Sequence, residues 1–297
     1  MTWNIETRPT ATCTALRSGL WHPKGEAKAL CLFLPGLGDS FEKRADVAAR
    51  LAAQGHEVLS LDWCGQGGSG RLGAHPQAAH ADDFARYGAD AASVLRARGR
   101  PDVPLWVLAY SMGAAVALPL IGSGVLAPRA VTLVSPMLRI PLPIPETLAL
   151  AGASLAVALG FGRTFAPGES QKPAMGTSSA DVTDPACQLR VAELAADSPE
   201  LSLRGVTWGW SRAALAAMRS ARSVGWRKGP VLIATADQET SVDLSPVPDV
   251  ARRLDARVVD LPGGHDLFLA GPATRDRLFA EISATVDPAI AGDRQGG

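Results

Sequence analysis

Cysteine is scarce in this sequence. Of 297 residues only Cys13, Cys31, Cys64 and Cys187 are cysteines, and no two stand in C-x-x-C spacing. That scatter argues against a cysteine metal site. Cys31 also falls inside an apolar run, where a thiol behaves as a small hydrophobe. The expectation is a reducing compartment. Net charge is missing as well: 29 basic residues balance 29 acidic ones, so no overall field draws the chain to nucleic acid or anionic lipid. The opening MTWNIETRPTATCT has neither the basic start nor the continuous apolar core of an export signal, which makes cytoplasmic residence the default. No run reaches the roughly 20 apolar residues of a membrane span. Internal repeats and low-complexity tracts are also absent.

What is present is a composition of 47% hydrophobic and 20% charged residues, enough to bury a large core as one domain with an insertion. Residues 1–28 are turn-rich and compatible with a short hairpin. Ala29 to Leu34 is a continuous apolar run of buried-strand length. Phe41 to Ala53 reads as a helix stopped by Gly55, and Glu57 to Leu61 as a second strand, giving a βαβ unit with parallel strands. A helix from Asp82 to Arg98 and a strand from Leu105 to Ala109 follow, then a helix to about Ile121 and a strand from Ala130 to Val134. The alternation resumes only at Pro230 to Thr235. It continues with a helix near Val247 to Leu254, a strand at Arg257 to Val259 and a terminal helix. The fold class is α/β: a mostly parallel central sheet flanked by helices, with core segments 1–136 and 229–297 and a helical cap, 137–228, inserted between core strands.

Two stretches invite sharper readings. Gly65-Gln66-Gly67-Gly68-Ser69-Gly70 matches the dinucleotide pattern G-x-G-x-x-G, but the pattern has meaning only when it opens a helix. Arg71 to Pro76 reads as loop, so a flexible turn is preferred. Thr147 to Phe161 is charge-free and rich in alanine and glycine. It is read as a cap helix packed on the core, with a lid touching acyl chains or a bilayer surface as the alternative. Trp208, Trp210 and Trp226 either line an apolar pocket or hold the cap together.

The run Val107 to Ala115 holds the chemistry. An apolar strand ends on Ser111 between small residues and turns into a helix, which is a nucleophile elbow with Ala109 in place of the first glycine of G-x-S-x-G. A serine needs a base to take its proton, and the base needs an acid to fix its tautomer. Ser111, Asp237 and His265 occur in the order serine, acid, histidine, each just past an expected strand, where the carboxyl ends of a parallel sheet form a crevice. Asp243 in the same loop and Glu239 nearby compete with Asp237 for the acid. Asp266 is expected in solvent, Asp62 as a loop cap, and His22, His56, His75 and His80 in surface or structural roles. The oxyanion needs two N–H donors: Met112, at the helix start, and Leu37, in the Pro35-Gly36-Leu37-Gly38 loop.

These segments resemble the α/β-hydrolases of the monoacylglycerol lipase and bacterial lysophospholipase L2-like group, also labelled serine aminopeptidase-like. The likeness runs through LFLPGLGDSFEKRADVAARLAAQGHEVLSLDWCGQGGSGR, HADDFARYGAD, LAYSMGAA, TWGWSRAAL and LPGGHDLF. It implies the α/β-hydrolase fold and a serine ester hydrolase releasing fatty acid from a lysophospholipid or monoacylglycerol, with no cofactor or metal. The family's triad carries over to Ser111, Asp237 and His265, and its oxyanion donors to Leu37 and Met112. Pro35, Ala109, Tyr110 and Cys64 depart from the commoner residues without removing a catalytic group. A short-chain carboxylesterase, thioesterase or peptidase on the same triad stays open, as does a non-catalytic binder of hydrophobic ligands. The expected partner is a small lipid ester, with peripheral membrane contact through the cap and no nucleic acid.

Overall fold

A computed structural model describes residues 2–172, 175 and 181–291. Strands β1 (Asn4–Arg8) and β2 (Leu16–Trp21) form the expected hairpin, followed by β3 (Ala29–Leu34), α1 (Phe41–Ala53) and β4 (His56–Leu61). Next come β5 (Ala78–Ala79), α2 (Phe84–Arg98), β6 (Leu105–Tyr110), α3 (Met112–Gly122) and β7 (Val131–Val134). The inserted stretch carries α4 (Glu146–Ala158), α5 (Pro185–Asp197), β8 (Gly205–Val206) and α6 (Trp208–Ser223). The chain closes with β9 (Val231–Ala236), α7 (Val247–Leu254), β10 (Ala256–Leu261) and α8 (Pro272–Ala291).

Eight strands make one sheet in the order β1-β2-β4-β3-β6-β7-β9-β10. The six from β4 to β10 run parallel, with β1 and β2 joined antiparallel at one edge. Parallel strands covered by helices on both faces need apolar side chains on both, which is why β3, β4, β7 and β9 are buried at every position. Leu30, Leu32 and Val107 face a core shared with α2, α3 and α6, while Cys31, Phe33 and Leu108 face α1 and α8.

The helices start where their sequences supply a cap. Asp83 accepts from the Ala85 amide at 2.9 Å ahead of α2, and Thr207 accepts from the Trp210 amide at 3.1 Å ahead of α6. The insertion is not uniform in its packing. Trp210, Ala214 and Met218 of α6 lie in the main core together with Trp226, whereas α4 buries only Ala153. The helix expected over 147–161 forms as α4 and packs on the core through Ala149, Leu150 and Ala153, but its outer side is uncovered: Leu148, Leu155, Leu159 and Phe161 are exposed. The two-residue strands β5 and β8 pair in parallel and tie the insertion to the loop after β4. They are too short to leave a periodic signal.

Two further expectations change. Cys13 and Cys64 form a disulfide, while Cys31 and Cys187 are free and buried. That pairing runs against the reducing compartment, since disulfides persist where the surroundings oxidise. The GQGGSG loop opens no helix, as required for the non-nucleotide reading, but it is no loose turn: Gly65, Gln66, Gly67 and Ser69 are buried. Asp62 does cap it, accepting from the Gly68 amide at 2.8 Å and from Arg17 at 2.9 Å.

Candidate active site

Because β6 ends at Tyr110 and α3 begins at Met112, the whole reversal falls on Ser111, at φ 49° and ψ −116°. A non-glycine residue at positive φ is strained and must be held by its surroundings. Here the Ser111 amide donates to the Val134 carbonyl at 2.9 Å, and the Ser111 carbonyl accepts from the Ala114 and Met137 amides at 3.0 Å. The two small flanking positions are not equivalent. A Cβ on Gly113 would sit 2.1 Å from the Leu34 carbonyl oxygen, so only glycine lets α3 start against the end of β3. Ala109 keeps its methyl within the buried strand.

His265 reaches the elbow from the loop after β10. Its Nε2 lies 2.9 Å from Ser111 Oγ, and its Nδ1 lies 2.7 Å from Glu239 Oε2. A carboxylate can only accept, so Nδ1 carries the proton and Nε2 is left to accept from the serine hydroxyl. Ser111 and His265 are each 7% exposed. The carboxylate beside His265, expected at Asp237, is Glu239 instead. Asp237 is the first residue past β9, and its position commits it to holding the neighbouring loop: its amide donates to the Leu261 carbonyl and its Oδ1 accepts from the Gly263 amide at 2.8 Å. Asp243 turns elsewhere, accepting from the Ser245 amide at 2.8 Å. Burial pushes the Glu239 carboxyl up. The His265 hydrogen bond and charge, with the Ser241 and Val242 amides, outweigh that and hold it below its ordinary range.

Asp266 is also not where it was expected. It is buried and takes both arms of the Arg44 guanidinium at 2.9 and 2.8 Å. Arg44 donates as well to Asp39 at 2.7 Å and lies 4.7 Å over the Tyr110 ring. Asp39 then accepts from the Gly36 amide at 2.8 Å. Burial works against the Asp39 carboxylate, but Arg44 and Lys43 keep it below its ordinary range. This cluster joins the 35–39 loop, the residue before Ser111 and the residue after His265. In that setting the Leu37 and Met112 amides have no hydrogen-bond acceptor among the described residues. Met112 opens α3, where a helix leaves its first amides free.

A groove of about 720 Å³ reaches Glu239 between Leu142, Ile144, Val242 and Leu244, with Arg139 and Glu146 also on its wall. A larger cavity of about 930 Å³ opens at the amino-terminal ends of β3 and β6, around Lys28 and Leu105, and contains no member of the serine–histidine–glutamate set.

The sequence profile of the serine aminopeptidase S33 family matches residues 25–267, a span that takes in all three of these residues. The chain belongs to this family. As an S33-family member it has the α/β-hydrolase fold. Lysophospholipase L2 of Escherichia coli K12 is 29% identical to it over 214 residues, 70% of this chain and 63% of that protein. The S33 chain therefore spans less than two thirds of the length of that relative. Among solved structures, a soluble variant of monoglyceride lipase from Saccharomyces cerevisiae superposes with a TM-score of 0.75 at 15% identity, covering 97% of this chain and 96% of that one. A thermostable carboxyl esterase from Bacillus coagulans gives 0.78 at 14% identity, with 98% and 99% covered. At such identities these neighbours speak for the fold.

Sequence order and the family resemblance both favoured Asp237, which stands at the strand end. The signal for Glu239 is reach: two residues further along, with one more methylene, its side chain clears the loop that Asp237 pins.

Proposed function

We propose that the chain is a serine ester hydrolase that releases a fatty acid from a single-chain lipid ester, lysophospholipid first and monoacylglycerol second. The observation that carries this reading is the unbroken relay Ser111 Oγ, His265 Nε2, His265 Nδ1, Glu239 Oε2 at 2.9 and 2.7 Å. Ser111 attacks the ester carbonyl as its proton passes to Nε2, and Glu239 stabilises the imidazolium. The Leu37 and Met112 amides receive the oxyanion. Collapse expels the alcohol, protonated by His265, and leaves an acyl-serine. Water then gives its proton to His265 as it attacks the acyl carbon; the bond to Ser111 Oγ breaks, His265 returns the proton to Oγ, and the fatty acid leaves. The cycle uses no metal or cofactor. The lipid assignment is supported by the likeness to lysophospholipase L2 and by the apolar stretch Ile140 to Ile144 on the wall of the groove beside Glu239, which also carries Arg139, Glu146 and Asp243.

The test is fatty-acid release from lysophosphatidylcholine micelles by wild type, Ser111→Ala, Glu239→Gln and Asp237→Asn. Ser111→Ala should lose at least about 10³-fold in kcat and Glu239→Gln roughly 10²- to 10⁴-fold. Asp237→Asn should stay within about fivefold. No release by wild type would end the lysophospholipid reading. Loss in Asp237→Asn with Glu239→Gln spared would return the acid's role to Asp237.

The exposed apolar surface of α4 and the turn after it supports peripheral membrane contact through the inserted stretch, since Leu148 and Leu155 on the helix and Leu159 and Phe161 beyond it are exposed, with no charge between 147 and 162. Among the described residues no helix is long and apolar enough to cross a membrane. Wild type should float with phosphatidylglycerol-containing liposomes, and the double variant Leu148→Glu, Leu155→Glu should stay in the dense fraction. Equal flotation of the two would remove α4 from the contact.

A further inference from the structure

The glycine-rich loop after β4 contains a buried side-chain amide that the triad does not use. Gln66 has no exposed surface, and both ends of its side chain are engaged. Its Oε1 accepts from the Gly38 amide at 2.9 Å, while its Nε2 donates to the Tyr87 hydroxyl at 3.2 Å and lies 3.9 Å from Met112 Sδ. The Tyr87 hydroxyl spends its one proton on the His80 carbonyl at 3.2 Å. A flipped Gln66 would set its NH₂ against the Gly38 N–H and its oxygen against a hydroxyl with no proton to give, so one orientation satisfies both neighbours.

The consequence falls on the residue between two engaged amides. Gly36 N–H is taken by Asp39 and Gly38 N–H by Gln66, which singles out the Leu37 amide as the loop's available donor. Because the peptide unit is planar, fixing the Gly38 N–H also fixes the plane that follows Leu37. The same loop grips a second time, through Trp63 Nε1 donating to the Pro35 carbonyl at 2.9 Å. The chain of contacts extends to the insertion: His80 Nδ1 lies 2.8 Å from the hydroxyl of Thr207, the residue that caps α6.

We propose that Gln66 is a positioning residue of the oxyanion pocket, holding the Leu37–Gly38 peptide so that the Leu37 amide converges with that of Met112 on the developing oxyanion. This rests on Ser111 being the nucleophile. Donors aimed at the transition state act on kcat, and removing one outright costs about 10²- to 10³-fold.

The experiment measures p-nitrophenyl butyrate hydrolysis, which needs no lipid surface, by wild type, Ser111→Ala, Gln66→Leu, Gln66→Glu and Tyr87→Phe. Gln66→Leu should lose roughly 10- to 100-fold in kcat, with KM within about twofold and the midpoint of the kcat/KM pH profile unmoved, because His265 is untouched. A protonated Glu at 66 can accept from Gly38 and donate to Tyr87, so Gln66→Glu should keep kcat within about fivefold. Tyr87→Phe should lose roughly 2- to 10-fold, and it decides the matter if Gln66→Leu does not fold. Wild-type kcat in Gln66→Leu, equal loss in the Leu and Glu variants, or a loss confined to KM or thermal midpoint would overturn the assignment. Activity in Ser111→Ala would remove the nucleophile itself. An inactive Ser111→Ala beside fully active Gln66→Leu and Tyr87→Phe would remove only the role of Gln66.

Discussion

Helices α4 and α6 come from the same inserted stretch and both are rich in alanine, yet one packs by a single edge and the other is a core helix. α6 buries Trp210, Ala213, Ala214, Leu215, Met218 and Ala221, residues that recur every three or four positions and leave Arg212 and Arg219 on the other side. That period defines a face to bury. α4 is apolar all round and has no such preference. It is held by a narrow inner edge, Ala149, Leu150 and Ala153, and by Glu146 in its first turn, which accepts from Arg219 at 2.7 Å and Arg222 at 2.8 Å on α6. Apolar composition tells that a segment has no reason to stay in water. Its period tells whether the protein's own core is what it meets instead.

The largest test of this contrast is truncation. Trp210→Ala should cost about 3–5 kcal/mol in urea unfolding, as a large buried aromatic does. A sharper one is the same change made twice. On Gly209 of α6 an added Cβ would stand 2.6 Å from His80 Cε1 and 2.9 Å from the Gly162 carbonyl oxygen, so Gly209→Ala should destabilise by about 1–3 kcal/mol. On Gly152 of α4 it would meet nothing within 4 Å, so Gly152→Ala should stabilise by about 0.5–1 kcal/mol through helix propensity. Equal signs for the two, read from thermal midpoints, would break the comparison. Smallest should be the double change Leu148→Glu, Leu155→Glu. At 60% and 61% exposed, these positions should shift unfolding by no more than about 0.5 kcal/mol.

The order of elements was legible because buried parallel strands read as unbroken apolar runs, as in Ala29–Leu34 and Val231–Ala236, and because Asp83 and Thr207 mark helix starts. Ser111 and His265 were legible for a related reason: each stands just beyond such a run, and the sheet brings them within 2.9 Å. The carboxylate beside His265 was not, because Asp237 and Glu239 share a loop and only the folded path of residues 261–263 decides which of them is occupied elsewhere. Asp266 was misjudged for want of Arg44, which lies 222 residues away in sequence. Likewise GQGGSG carries glycines that suggest looseness, while the meaning of Gln66 depends on Gly38, Tyr87 and Met112 arriving from three other elements.

The Cys13–Cys64 bond spans 51 positions, and within that span lie β2, β3, α1 and β4. The 35–38 loop therefore sits inside a covalent ring. Pulling or fraying the chain from its amino terminus cannot peel β2 away from β4 while the ring is closed. A denatured chain that keeps the bond begins refolding with these elements already confined, by an amount the loop length puts at about 4 kcal/mol. The loop proposed to offer the Leu37 amide is thus the one that stays confined when the rest of the molecule unfolds.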